Sequence, residues 1–299
     1  MPDGVRRLLI RYSRLYAVLK DTVAGTWDDG FTHAGNIAYL SLVTVFPFFI
    51  LIAVVAGAVG RTEDGLRAVQ AFLGALPADV AALVAAPIVD VIQARTSGGV
   101  VTFGIIVTIW TVSGFVENLR AIIRRAYRAP YHRQAWRYRL IGLALVFAAV
   151  LAMLAALAAQ VVLGGAEAFV AGLMPGAMQP AMLALSRLLP MLVLMAALWG
   201  AFTLLTPRRF NMIGCPTWPG ALVTTLTWAI TSWLLPRTVT LFGGYAMTYG
   251  SLAGVIIALL FFYIIGLGLV VGAHLNAALA KDRQISLKTE SRTFDTELQ

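Results

Sequence analysis

LAGVIIALLFFYIIGLGLVVGAHLNAA, residues Leu252 to Ala278, decides what solvent this chain is built for. The stretch holds no Asp, Glu, Lys or Arg, and its only polar groups are Tyr263, His274 and Asn276. A helix needs about 20 apolar residues to cross the hydrocarbon core, because each residue rises about 1.5 Å and unpaired backbone groups are not tolerated in lipid. This run exceeds that length, so it is read as a membrane span.

Five further segments pass the same test working back toward the N-terminus: Thr217 to Leu235, Met182 to Leu205, Leu140 to Leu163, Val100 to Ile123 and Ile37 to Val59. The composition agrees, with 60% hydrophobic and 12% charged residues and a mean hydropathy of +0.82, beyond what soluble domains carry. The expected fold is therefore all-α: a polytopic membrane protein with six transmembrane helices, an amphipathic N-terminal helix and an extracytoplasmic helical hairpin after span one. Arg11 and Arg14 interrupt any uncharged signal-peptide core, so no cleaved signal is expected. The single Cys215 excludes an internal disulfide and leaves no thiol-based metal site.

Charge sets the orientation. Of the 23 Lys and Arg residues, 18 lie before span one, between Arg120 and Arg139, between spans four and five, or after span six. By the positive-inside rule both termini are cytoplasmic. The net charge of +9 then reads as attraction to anionic lipid headgroups at the cytoplasmic face rather than to nucleic acid. Three parts are expected: residues 1–30 as an amphipathic interfacial helix with the cytoplasmic N-terminus, 31–280 as the six-helix domain, and 281–299 as a polar cytoplasmic tail. In the first part Leu8, Tyr12, Leu15, Leu19 and Val23 form one helical stripe, and Arg7, Arg11 and Arg14 another. Between Arg61 and Gly99 two short periodic stretches, punctuated by Pro77 and Pro87, read as the outer hairpin. No repeat recurs at a fixed period.

Ionisable groups within spans are costly and so are functional candidates. Asn36, Glu117, Asn118, His274 and Asn276 fall at similar cytoplasmic depth and are read as a candidate polar cluster, the alternative being helix ends that snorkel or cap. Thr217, Gly220, Thr224, Thr227 and Thr231 recur at helical spacing on span five, as a face that lines a pathway or packs on a neighbour. Pro47 removes a backbone hydrogen bond in span one and is a candidate hinge. Arg120, Arg124, Arg125, Arg128 and Arg187 are candidate headgroup ligands. No HExxH, GxSxG or Walker A motif occurs, so neither catalytic residues, nor a metal site, nor a cofactor is assigned.

Several of these stretches resemble the YihY/BrkB family of bacterial inner-membrane proteins, historically labelled ribonuclease BN-like. MTYGSLAGVIIALLFFYIIGLGLVVGAHLNAAL (Met247 to Leu279) is similar to the family's closing stretch, WPGALVTTLTWAITSWL (Trp218 to Leu234) to its fifth span, and AGNIAYLSLVTVFPFFIL (Ala34 to Leu51) to its first. Leu119 to Tyr127 resembles it more weakly. The chain departs from the family at His274, where Glu is usual, and at Arg124, where Asn is expected. The resemblance implies a multi-pass protein of the bacterial inner membrane with an envelope role: moving or handling a lipid or other amphipathic or small solute, or supporting surface resistance. A scaffold for envelope enzymes is the alternative, and ribonuclease activity is not expected from the residues. The partners expected are membrane lipids and an unknown solute or lipid substrate, without nucleic acid; a homo-oligomer is left open.

Overall fold

The computed structural model describes residues 3–59, 98–129, 179–212, 214–241 and 253–297, with isolated helical positions at 70, 140, 142 and 144. The expected outer hairpin and third span lie outside the described residues. Six helices follow in order: α1 (Asp3–Val59), α2 (Gly98–Ala126), α3 (Gln179–Leu205), the short α4 (Arg208–Met212), α5 (Trp218–Leu241) and α6 (Ala253–Glu297). There is no strand among the described residues.

Gly254–Ile285 within α6 is the one stretch among the described residues long and apolar enough to cross a membrane, and Met191–Leu205 of α3 is a shorter apolar stretch. At about 1.5 Å per residue its 32 residues reach roughly 48 Å, more than the hydrocarbon core requires. Apolar side chains face outward on several helices: Val255, Leu260 and Ile264 on α6, Leu226, Ile230 and Trp233 on α5, and Leu192 and Trp199 on α3. Exposed apolar stripes at helical spacing call for a non-aqueous neighbour.

The chain divides into two compact units. One comprises Met1–Tyr39, Asn118–Arg133 and Leu194–Gln299, and the other Leu40–Glu117 and Gln134–Val193. In the second unit the described side chains include Thr44, whose hydroxyl donates to the Leu40 carbonyl at 2.6 Å, one helical turn ahead of Pro47. The helix runs on through Pro47 to Val59.

The first unit is held by α6, which takes α5 on one side and α1 on another. Against α5, Gly220 and Gly272 let the two backbones meet: a Cβ on Gly220 would strike the Gly272 carbonyl oxygen, and one on Gly268 would lie 2.6 Å from the Thr227 methyl. Small residues at such spacing are how helices approach closely in a bilayer. The hydroxyl of Thr224 donates to its own helix at Gly220 O (2.8 Å) and lies 3.2 Å from Gly268 O across the interface. Along α1 the pairing with α6 runs in reverse order. Asp21 meets the Lys281 ammonium at 2.6 Å, Gly25 lies under the His274 ring, Gly30 is near Val270, and Ala34 and Ile37 flank Gly266. The two helices are therefore antiparallel, and α1 stands along α6 from Asp21 to Ile37. α1 is one unbroken helix of 57 residues, and its inward positions Val18, Thr22, Ala34, Ile37 and Ala38 are buried.

A cationic cleft at the end of helix α2

The last turns of α2 carry AIIRRAYRA, residues Ala121 to Ala129. Ile122, Ile123 and Tyr127 turn inward and are buried. That places Ala121, Arg124, Arg125 and Arg128, three and four residues apart, on a common face. With His33 of α1 and Ala129 they line a half-open cleft of about 460 Å³.

The helix ends there by a defined bond pattern. Arg128 N–H donates to Arg125 O and Ala129 N–H to Arg124 O, both at 2.9 Å. This pair is the Schellman arrangement, whose turning residue adopts the left-handed conformation that most chains give to glycine. Here it is Arg128, with φ of 48°. The bonds satisfy the carbonyls of Arg124 and Arg125, and the Arg side chains offset the negative end of the helix.

Asp29 of α1 answers Arg125 in a two-pronged ion pair. Arg125 Nε donates to Oδ2 and Nη2 to Oδ1, each at 2.7 Å. The arginine hydrogen bonds hold the Asp29 carboxyl below its ordinary value of 3.8, outweighing a smaller opposing effect of desolvation. His33 lies on the same face of α1, one turn on; burial is the main effect that pushes its imidazole below its usual range, and the neighbouring Arg125 adds to it. Its Nδ1 is buried without a hydrogen-bond partner, as is the Thr26 hydroxyl one turn before Asp29. Behind the cleft the Tyr127 ring rests against Phe210 at 4.8 Å. Burial pushes its phenol up to about 12, against a smaller opposing pull from Thr206. Neither of those two buried hydroxyls closes a hydrogen bond of full geometry.

The five residues read as one polar cluster have these surroundings. Asn36 is exposed on α1, and Glu117 belongs to the second unit. Asn118 is half-buried in α2, with its amide nitrogen unpartnered. His274 covers Gly25 and is within electrostatic reach of Asp29 and His33. Asn276, two residues on, points to α5 instead and is fully buried. It accepts from Gly220 N–H at 2.8 Å and donates to Thr217 O at 2.9 Å, so it caps the first turn of α5 from outside the helix. The face Thr217, Gly220, Thr224 and Thr231 is buried, with Thr227 half-buried; Thr224, Thr227 and Thr231 each donate to the carbonyl four residues earlier, and Thr217 shares a hydrogen bond with Thr203 at 2.8 Å. Arg120 is buried in α2, and the Arg187 and Pro47 side chains lie outside the described residues. His33, which lines the cleft, and Asp29, which pairs with Arg125 at its edge, are the residues that sequence reasoning missed; the one signal was their four-residue spacing. No group of three or more His, Cys, Asp or Glu side chains converges among the described residues.

No solved structure matches the chain. A protein of Bacillus subtilis (strain 168) named as ribonuclease-like, YfkH, is 28% identical over 284 residues, covering 87% of this chain and 94% of its own. The family model described as "Virulence factor BrkB" matches residues 25–295. That match takes in α1 from Gly25, the cleft and nearly all of α6, so the chain belongs to the BrkB family and is a membrane-associated protein.

Proposed function

We propose that the chain crosses the bacterial inner membrane six times, with both termini cytoplasmic, and handles an amphiphilic lipid or solute whose charged head enters the cleft at the end of α2. The observation that carries this reading is the cleft itself. Three arginines and a half-buried imidazole open onto one space of about 460 Å³, within the range of small-molecule sites. It sits at the segment whose charge bias marks the cytoplasmic face. Outward-facing apolar side chains on α1, α3, α5 and α6 offer a path for a tail that stays in lipid while its head follows the arginines.

The test is flux in liposomes. Purified protein should accelerate movement of at least one amphiphile in a panel of anionic, zwitterionic and cationic lipids and solutes, and Arg124→Ala/Arg128→Ala should slow it. Equal rates with and without protein across the panel would sink the reading. The ribonuclease-like name of the Bacillus relative is a competing proposal; metal-dependent RNA cleavage that copurifies with the chain and is lost in Glu117→Ala would favour it.

A further inference from the structure

One arginine of the cleft already holds an anion, and it is the chain's own. Asp29 presents two oxygens in the plane of the Arg125 fork, each 2.7 Å from a guanidinium nitrogen. A phosphate offers the same two-oxygen edge and satisfies the same fork. The pair is exposed, at 60% for the Arg125 side chain and 30% for Asp29, and ion pairs this open hold weakly and exchange readily.

Resting on the reading of the cleft as a head-binding site, we propose that its ligand class is a phosphate-bearing group and that Asp29 is the built-in competitor: Arg125 leaves Asp29 for the phosphate. Three features favour a phosphate over a carboxylate or a cation. Arg124 and Arg128 line the same space as Arg125, enough positive charge for a group bearing more than one anionic oxygen. The carbonyls of Arg124 and Arg125, which would repel an anion at a helix C-terminus, are taken up by the Ala129 and Arg128 amides. His33 lines the same cleft, and an imidazole N–H is a donor suited to a further phosphate oxygen. With the phosphate seated, the Asp29 carboxylate is freed toward solvent.

The experiment measures binding by the full chain in detergent or nanodiscs, using inorganic phosphate as one probe and short-chain phosphatidic acid, phosphatidylglycerol and phosphatidylcholine as the others. Asp29→Asn removes the competitor's charge and should tighten phosphate binding about three- to ten-fold, a gain that misfolding cannot produce. Arg125→Ala should weaken it at least about ten-fold, and in the Arg125→Ala background Asp29→Asn should add nothing, because Asp29 acts only through that guanidinium. Affinity for the phospholipids alone identifies a lipid headgroup, and affinity for inorganic phosphate a soluble phosphate; either supports the proposal. Unchanged or weaker binding in Asp29→Asn, a gain that persists without Arg125, or no phosphate binding by wild type and variant alike would overturn it. Flux of an uncharged or cationic amphiphile alongside such a result leaves the transport reading standing, whereas phosphate binding without flux of any kind sinks that reading alone.

Discussion

Removing the Asn276 side chain should loosen α5 from α6 more than any single substitution in the cleft. Its carboxamide is fully buried and serves two backbone groups of α5, Gly220 N–H at 2.8 Å and Thr217 O at 2.9 Å. Gly220 lies in the first turn of α5, where amides have no partner within the helix. In Asn276→Ala the Gly220 N–H stays buried without a substitute, and the Thr217 carbonyl keeps only the long bond from the Ala221 N–H at 3.5 Å. An orphaned buried donor or acceptor costs about 1–3 kcal/mol, although hydrogen bonds between membrane helices average nearer about 0.6 kcal/mol. Weighing the complete burial against the membrane average gives a loss of about 2–4 kcal/mol. For a chain of this size about 1 kcal/mol corresponds to roughly 2–4 °C, so the melting temperature should drop by about 4–16 °C, read by intrinsic tryptophan fluorescence in detergent. Asn276→Asp keeps the acceptor for Gly220 but sets an oxygen against the Thr217 carbonyl, and should rescue little. His274→Ala, two residues away on the other side of the helix, should shift the transition less. A transition for Asn276→Ala within about 2 °C of wild type would refute the capping role.

Arg128→Gly should raise stability by about 0.5–1 kcal/mol in the same melt, since glycine relieves the left-handed strain of about 1–2 kcal/mol and returns part of it as backbone entropy, while removing a cation from the cleft. Gly220→Ala should destabilise strongly, because the added Cβ meets the Gly272 carbonyl and the Asn276 amide, both fixed; a melt equal to wild type would show that the helices separate freely. Asp29 titrates below 3.8 when folded, so the contribution of its ion pair is present above that pH and is lost as pH falls through the folded value. At most about 1 kcal/mol is at stake for so exposed a pair, and the stability gap between wild type and Asp29→Asn should close in acid and be constant from pH 5 to 8. For topology, cysteines introduced at Lys20 and Ile285 in a Cys215→Ser background should both be labelled from the cytoplasmic side only.

What the sequence showed depended on how local each signal was. The apolar run from Leu252 to Ala278 needed only composition, and α6 carries it unbroken from Ala253. The small-residue face of α5 was visible from its spacing, though only the structure shows its Thr hydroxyls turned back onto their own helix. His274 and Asn276 were grouped by their shared depth, yet two residues on a helix are about 200° apart, and they serve different neighbours. Residues 1–30 were read as a separate part from the apolar and Arg stripes alone. In the structure Gly25 and Gly30 are where α1 comes close to His274 and Val270, and that contact outweighs glycine's poor helix propensity. The Asp29–Arg125 pair joins residues 96 apart, a distance at which no periodicity in the sequence can speak.

The antiparallel seam between α1 and α6 has a consequence for how the protein is made. Its terminal ion pair, Asp21 with Lys281, joins positions 260 residues apart, so the first helix to leave the ribosome waits for nearly the whole chain before its permanent neighbour emerges. Until then Asp21, Gly25, Gly30 and Ile37 lack the helix they pack against, and a nascent chain halted after α5 would present them to the insertion machinery and to proteases. Long-range closure of this kind is slow and exposes intermediates. Chains truncated before Gly266 should therefore be cleared by quality control rather than persist as partial bundles.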